Sequence, residues 1–234
     1  MENQKASGYD FIQVNDSLLD TNEKLNKELS EDTKKTLLSI IDNFLLDISL
    51  QTSKLTLYSL VNNNRSITME LFSQNIEEYI YFTVAQSVTT SYNNGFENAI
   101  REICEVLIKT QNGLILNNSE PYDLKFQLKN GEEYCIDIKS VNHQNMSNKQ
   151  TYKEHKERAE KAGKIYKLCL YDDESLSEED YLLKGNEFWN LIAGFDNAKA
   201  TIFRIINGAA NKLSVSTIIR DTKNRFISEW RLQD

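Results

Sequence analysis

A chain of 234 residues is long enough for one domain, or for a core with one appended subdomain, and 40% hydrophobic with 26% charged residues excludes a disordered or fibrous protein. The formal net charge of -8 excludes a surface that is basic all over, and apolar runs such as Phe44 to Leu46 fall far short of the roughly 20 residues that cross a bilayer. The N-terminus, Met1-Glu2-Asn3-Gln4-Lys5, is not a basic segment followed by an apolar one, so the cytoplasm is the expected compartment and no membrane partner is expected.

The first 90 residues read as helical and acidic, with 7 Lys/Arg against 13 Asp/Glu. Ser30 followed by Glu31 and Asp32 resembles a helix start, with acids in the first turn where they complement the helix dipole. Leu37, Leu38, Ile41, Phe44, Leu45 and Ile48 then recur at spacings of three and four, which makes one buried stripe. A further helix is predicted from about Ile67 through Tyr81 and Ala85. Asn62-Asn63-Asn64 and Tyr92-Asn93-Asn94-Gly95 are the clearest breaks.

After Gly95 the spacing of Phe96, Ala99, Ile100, Ile103 and Leu107 predicts an amphipathic helix ending near Gln111-Asn112-Gly113. The period then switches to two. Tyr122, Leu124, Phe126 and Leu128 alternate with Asp123, Lys125 and Gln127, and after Asn130-Gly131 the alternation resumes through Ile136 and Ile138 against Cys135, Asp137 and Lys139. This is a hairpin. A charged helix follows from about Lys149 to Ala162, closed by Gly163, and then a short strand from Ile165 to Tyr171. The expected class is α/β, with helices around a sheet. The three cysteines, Cys104, Cys135 and Cys169, read as buried thiols, and neither His143 nor His155 has a recognisable partner in the sequence.

The hairpin register decides which acids meet. A two-residue Asn130-Gly131 loop would set Leu124 against Asp137, an apolar side chain against an acid. A three-residue loop, Lys129-Asn130-Gly131, with Gly131 in the left-handed conformation, pairs Leu128 with Glu132, Phe126 with Tyr134 and Leu124 with Ile136, which sets Asp123 opposite Asp137. Facing carboxylates destabilise a sheet by up to about 1 kcal/mol, so something positive must compensate: Lys139, two residues on and on the same face as Asp137, or a divalent cation. Glu97, at the border of the stripe on the preceding helix, is a third acid that can reach inward. Carboxylates without His or Cys describe a hard-cation site, and Mg2+ is the expected cofactor, with Asp123, Asp137 and Glu97 as metal ligands and Lys139 orienting or helping to deprotonate the attacking water.

Glu97, Pro121-Tyr122-Asp123 and Asp137-Ile138-Lys139, in that order on helix, strand and strand, resemble the PD-(D/E)xK nuclease superfamily, particularly type II restriction endonucleases. The resemblance spans residues 92–171. It implies a restriction-endonuclease-like mixed sheet flanked by helices, catalysis by Asp123, Asp137, Lys139 and Glu97, and Mg2+-dependent, sequence-specific hydrolysis of double-stranded DNA by a homodimer. It also implies a partner methyltransferase. Tyr122 between Pro121 and Asp123 departs from the family pattern. Gly185-Asn186-Glu187-Phe188-Trp189 is similar to a segment of one restriction-enzyme subgroup and also reads as a Phe/Trp core anchor.

Charge along the chain fits this expectation. Residues 139–167 hold 8 Lys/Arg against 3 acids, and residues 199–225 hold 6 against 1. The polar segment with Asn142, His143, Gln144, Asn145 and Gln150 carries side chains that pair with base edges, and Lys149 and Lys153 read as phosphate contacts or as a solvated face. Residues 1–90 are expected to form a helical subdomain for dimerisation and clamp support, with residues 91–234 as the nuclease core. Two other functions remain open on the sequence: a repair or junction nuclease of the same fold, and a non-enzymatic protein whose acidic helices bind a basic partner.

Overall fold

A computed structural model describes residues 29–61, 75–117, 119–139, 146–171, 180–210 and 215–231. Helix α1 (Glu31–Val61) begins directly after Ser30, and Leu37, Ile41, Phe44, Leu45 and Ile48 form its buried stripe as the spacing requires. It lies along α2 (Ile76–Thr110). Thr52 and Thr56 of α1 are buried, as are Thr83, Ser87 and Ser91 of α2. The three α2 hydroxyls donate to the carbonyls four residues back, at 2.9, 2.8 and 2.8 Å, whereas the Thr52 and Thr56 hydroxyls are buried with no hydrogen-bond partner among the described residues.

The break expected at Tyr92 to Gly95 is not a break, because α2 runs through it. Tertiary packing overrides the local turn signal here. Tyr92 and Phe96 stack with centroids 5.0 Å apart, Phe44 of α1 packs against both, and a Cβ on Gly95 would lie 3.1 Å from the Phe44 ring. The boundary expected at residue 90 therefore falls inside a helix. Because α1 also meets the C-terminal helices α5 (Ala198–Ala210) and α6 (Val215–Arg231), residues 31–234 form one compact unit. The expected break at Asn62 to Asn64 and the helix start near Ile67 lie outside the described residues.

The core is a five-stranded mixed sheet in the order β1 (Leu114–Ile115), β2 (Leu124–Gln127), β3 (Glu133–Lys139), β4 (Ile165–Leu170), β5 (Leu182–Lys184). The first three strands are antiparallel, and β3, β4 and β5 run parallel. A parallel pair needs a crossover, and α3 (Met146–Lys161) supplies it between β3 and β4. On one face of the sheet Cys135, Tyr166, Leu168 and Leu170 pack with Tyr152 and Ala159 of α3. The other face carries Ile136, Ile138 and Cys169, and α2 packs against β3. All three cysteines are free and buried.

The β2–β3 hairpin has the three-residue loop and the register read from the alternation. Leu124 faces Ile136 and Phe126 faces Tyr134. Leu128 donates to the Glu132 carbonyl at 3.0 Å, and Gly131 closes the turn with a φ of +89° and a 2.9 Å bond to the Leu128 carbonyl. Beyond β5, helix α4 (Gly185–Ala193) buries Phe188 and Trp189 completely, and the Trp189 indole donates to the Tyr171 carbonyl at 3.0 Å. The Gly185 to Trp189 segment is thus a core anchor. Among the described residues, no helix is long and apolar enough to cross a membrane.

Candidate active site

Continued one residue past the Leu124–Ile136 pair, the hairpin register sets Asp123, just before β2, opposite Asp137, within the buried part of β3. Each acid has one oxygen held by the chain. Asp123 Oδ2 accepts the Ile138 backbone N–H at 2.7 Å and lies 3.7 Å from Lys139 Nζ. Lys139 Nζ donates to Glu97 Oε2 at 2.8 Å, so helix α2 closes the group from its own side. The structure thus gathers Glu97, Asp123 and Lys139 into one ion-pair cluster, half-open to solvent.

Lys139 sits in opposing influences. Burial disfavours its charge, but the hydrogen bond to Glu97 and the charges of Asp123 and Glu97 outweigh this, and its pKa lies above the ordinary lysine value. The side chain is therefore an ammonium at neutral pH.

Asp137 is only 4% exposed and is compensated differently from what the sequence led us to expect. Lys139 makes no salt bridge to it. Instead its Oδ2 accepts the Tyr166 hydroxyl at 2.7 Å and lies 2.7 Å from His155 Nδ1. Buried carboxylates require such donors, since an uncompensated one costs several kcal/mol. Burial, then the charge of Asp137 and the hydrogen bond to it, push the Tyr166 phenol well above its usual pKa, so it remains a donor. Tyr152, reaching in from α3, is also raised, first by burial; Lys139 opposes the rise, and the acids at 137, 97 and 123 add to it. This one hydroxyl feels every charge in the site.

His155 and Tyr166 are the site residues that the sequence did not disclose. The available signal was the α3 spacing: Tyr152, His155 and Ala159 fall at three and four residues apart and share the inward face. Tyr122, the departure between Pro121 and Asp123, also has a place here. It is buried, its hydroxyl donates to the His155 carbonyl at 3.2 Å, and its ring meets the imidazole edge-on at 5.3 Å.

Among the described residues, no three His, Cys, Asp or Glu side chains form a ready-made cage for an ion. The donor set nevertheless suits magnesium, which takes one or two carboxylates and keeps several waters. Asp123 and Asp137 would hold it, since the contacts described fall on one oxygen of each. Glu97, the expected third ligand, has Oε2 committed to Lys139.

Of the expected DNA contacts, Asn142, His143, Gln144 and Asn145 lie outside the described residues. Lys149, Gln150 and Lys153 are exposed on the first turns of α3, with Gln150 also bonded to Glu154 at 2.8 Å. Lys156 is bound to Asp180 at 3.0 Å and covers the Tyr181 ring. No protein-family model matches the chain, and no curated protein matches it either.

Proposed function

We propose that the protein is a magnesium-dependent endodeoxyribonuclease of the type II restriction kind, acting on double-stranded DNA. The observation that carries this reading is the meeting of Asp123, Glu97 and the Lys139 ammonium at the end of a hairpin whose register sets Asp123 against the buried Asp137. A mixed sheet flanked by helices, as the resemblance implies, supports it. So do the exposed Lys149 and Lys153 one helical turn apart on the element that follows the site.

The reaction adds a water oxygen to phosphorus and breaks one P–O bond to sugar, leaving a phosphomonoester and a hydroxyl. When bound, magnesium supplies charge neutralisation at the phosphate and a more acidic water. Lys139, held as an ammonium, is suited to hydrogen-bond a phosphate oxygen and stabilise the charge that accumulates there, rather than to act as the base. Glu97 aims it and Asp123 keeps it at the strand end. Lys149 and Lys153 contact the DNA backbone, and Asn142, His143, Gln144, Asn145 and Gln150 read base edges. Two copies related by a two-fold axis cut both strands of a palindromic site, and a partner methyltransferase protects that site in the producing cell.

Incubation of a plasmid of known sequence with the protein tests this. The expected result is a discrete set of fragments in Mg2+ and none in EDTA, with mapped ends giving the recognition sequence. Cutting confined to junctions or damaged sites would make it a repair nuclease, and no cutting in Mg2+ or Mn2+ of DNAs covering all short palindromes would overturn the enzymatic reading.

A further inference from the structure

The donors that compensate the buried Asp137 converge on one of its two oxygens. Two donors from different elements, Tyr166 of β4 and His155 of α3, both lie 2.7 Å from the same oxygen, Oδ2. A carboxylate oxygen offers two acceptor directions, so these two contacts use both. In the tautomer with its proton on Nδ1, His155 donates to this oxygen. The imidazole is itself held: its ring meets Tyr122 at 5.3 Å and Tyr166 at 6.4 Å, both edge-on, and its backbone carbonyl accepts the Tyr122 hydroxyl.

We propose that His155 and Tyr166 are positioning residues for a divalent cation: by occupying Asp137 Oδ2 from two directions they fix the carboxylate plane and leave Oδ1 as the coordinating oxygen. The inference takes its cation from the nuclease reading, but it concerns metal affinity, which is measurable without turnover. Partners behind a metal ligand orient it, and their loss typically lowers metal affinity 10- to 100-fold. Tyr122 belongs to the same device one step removed, since it holds the histidine rather than the acid.

The test is titration of the full-length protein with Mn2+ alone, counting free Mn2+ by electron paramagnetic resonance, beside a plasmid-cutting assay. Tyr166→Phe and His155→Ala are each expected to weaken Mn2+ binding about 10-fold or more. His155→Asn, whose amide N–H stands where Nδ1–H stood, should recover binding to within a few-fold of wild type, which a merely structural role would not require. Asp137→Asn should remove it. His155→Ala loses a donor to the buried Asp137 and so lowers the urea midpoint, while a single cooperative urea transition shows that each variant is folded under the titration conditions. Wild-type Mn2+ affinity in both Tyr166→Phe and His155→Ala, in a protein that binds Mn2+ and cuts DNA, would overturn the positioning role alone. Mn2+ binding weakened in these variants of a protein that cuts no DNA would support it while removing the nuclease reading. A wild-type protein that neither binds Mn2+ nor cuts would remove both.

Discussion

Tyr166→Phe removes one hydroxyl and nothing else from around a carboxylate that is 4% exposed. Water has little access to replace the donor, and of the two donors found among the described residues Asp137 keeps His155, at 2.7 Å. A hydrogen bond to a charged group contributes about 1.5–3 kcal/mol, and the surviving contact places the loss toward the lower end, about 2 kcal/mol. In a unit of this size that lowers the thermal midpoint by roughly 4–8 °C. The pH dependence follows from the raised Tyr166 pKa, caused first by burial and then by Asp137. Below pH of about 10 the phenol is neutral in both folded and unfolded chains, and its stabilisation is fully present. Above that, the unfolded chain ionises and the folded one does not, so wild-type stability falls by about 1.4 kcal/mol per pH unit from this group. Phenylalanine has no such titration, and the gap between the two proteins should shrink from about 2 kcal/mol at neutral pH to roughly 0.5 kcal/mol near pH 11. Urea unfolding followed by circular dichroism at neutral and alkaline pH measures both values. Equal stability at neutral pH, or a gap that stays constant into the alkaline range, refutes the reasoning.

The Glu97–Lys139 pair should show a coupling of only about 0.5–1 kcal/mol in a Glu97→Gln/Lys139→Met double-mutant cycle, reduced further by salt, because the side chains are 41% and 28% exposed; a coupling above about 3 kcal/mol would mean a far drier site. Gly131→Ala should cost about 1 kcal/mol in urea unfolding, all of it from the φ of +89°, since a Cβ there meets nothing within 4 Å. Gly131→Asn should cost less, and an alanine variant of wild-type stability would show that the turn relaxes. Asp137→Ala should abolish cleavage while DNA binding, measured by gel shift in Ca2+, survives; a variant that cuts at full rate removes Asp137 from the chemistry.

Much of the sheet and its hairpin was legible because the signal is local. The alternation from Tyr122 to Lys139 admits one register that keeps Leu124 and Phe126 on apolar partners, and that register alone places Asp123 against Asp137. The Ile165 strand and the α3 helix were legible for the same reason. What failed were features decided at a distance. Tyr92-Asn93-Asn94-Gly95 has turn chemistry, yet Phe44, some fifty residues earlier, packs against Tyr92 and Phe96 and the helix continues. His155 looked solitary because its partner, Asp137, comes from another element, and only the crossover of α3 over the parallel strands brings the two together. The compensation expected for Asp137 from Lys139 went instead to Asp123 and Glu97, since the ammonium at the end of β3 reaches past the buried acid toward α2.

The most direct test of the account is single-turnover cleavage of a mapped DNA site by Lys139→Ala, with binding of the same DNA measured in parallel. If Lys139 stabilises the phosphate in the transition state, the rate constant falls about 100-fold or more while DNA affinity changes by only a few-fold. A variant that binds and cuts like the wild type would contradict the assignment of this cluster as the catalytic centre.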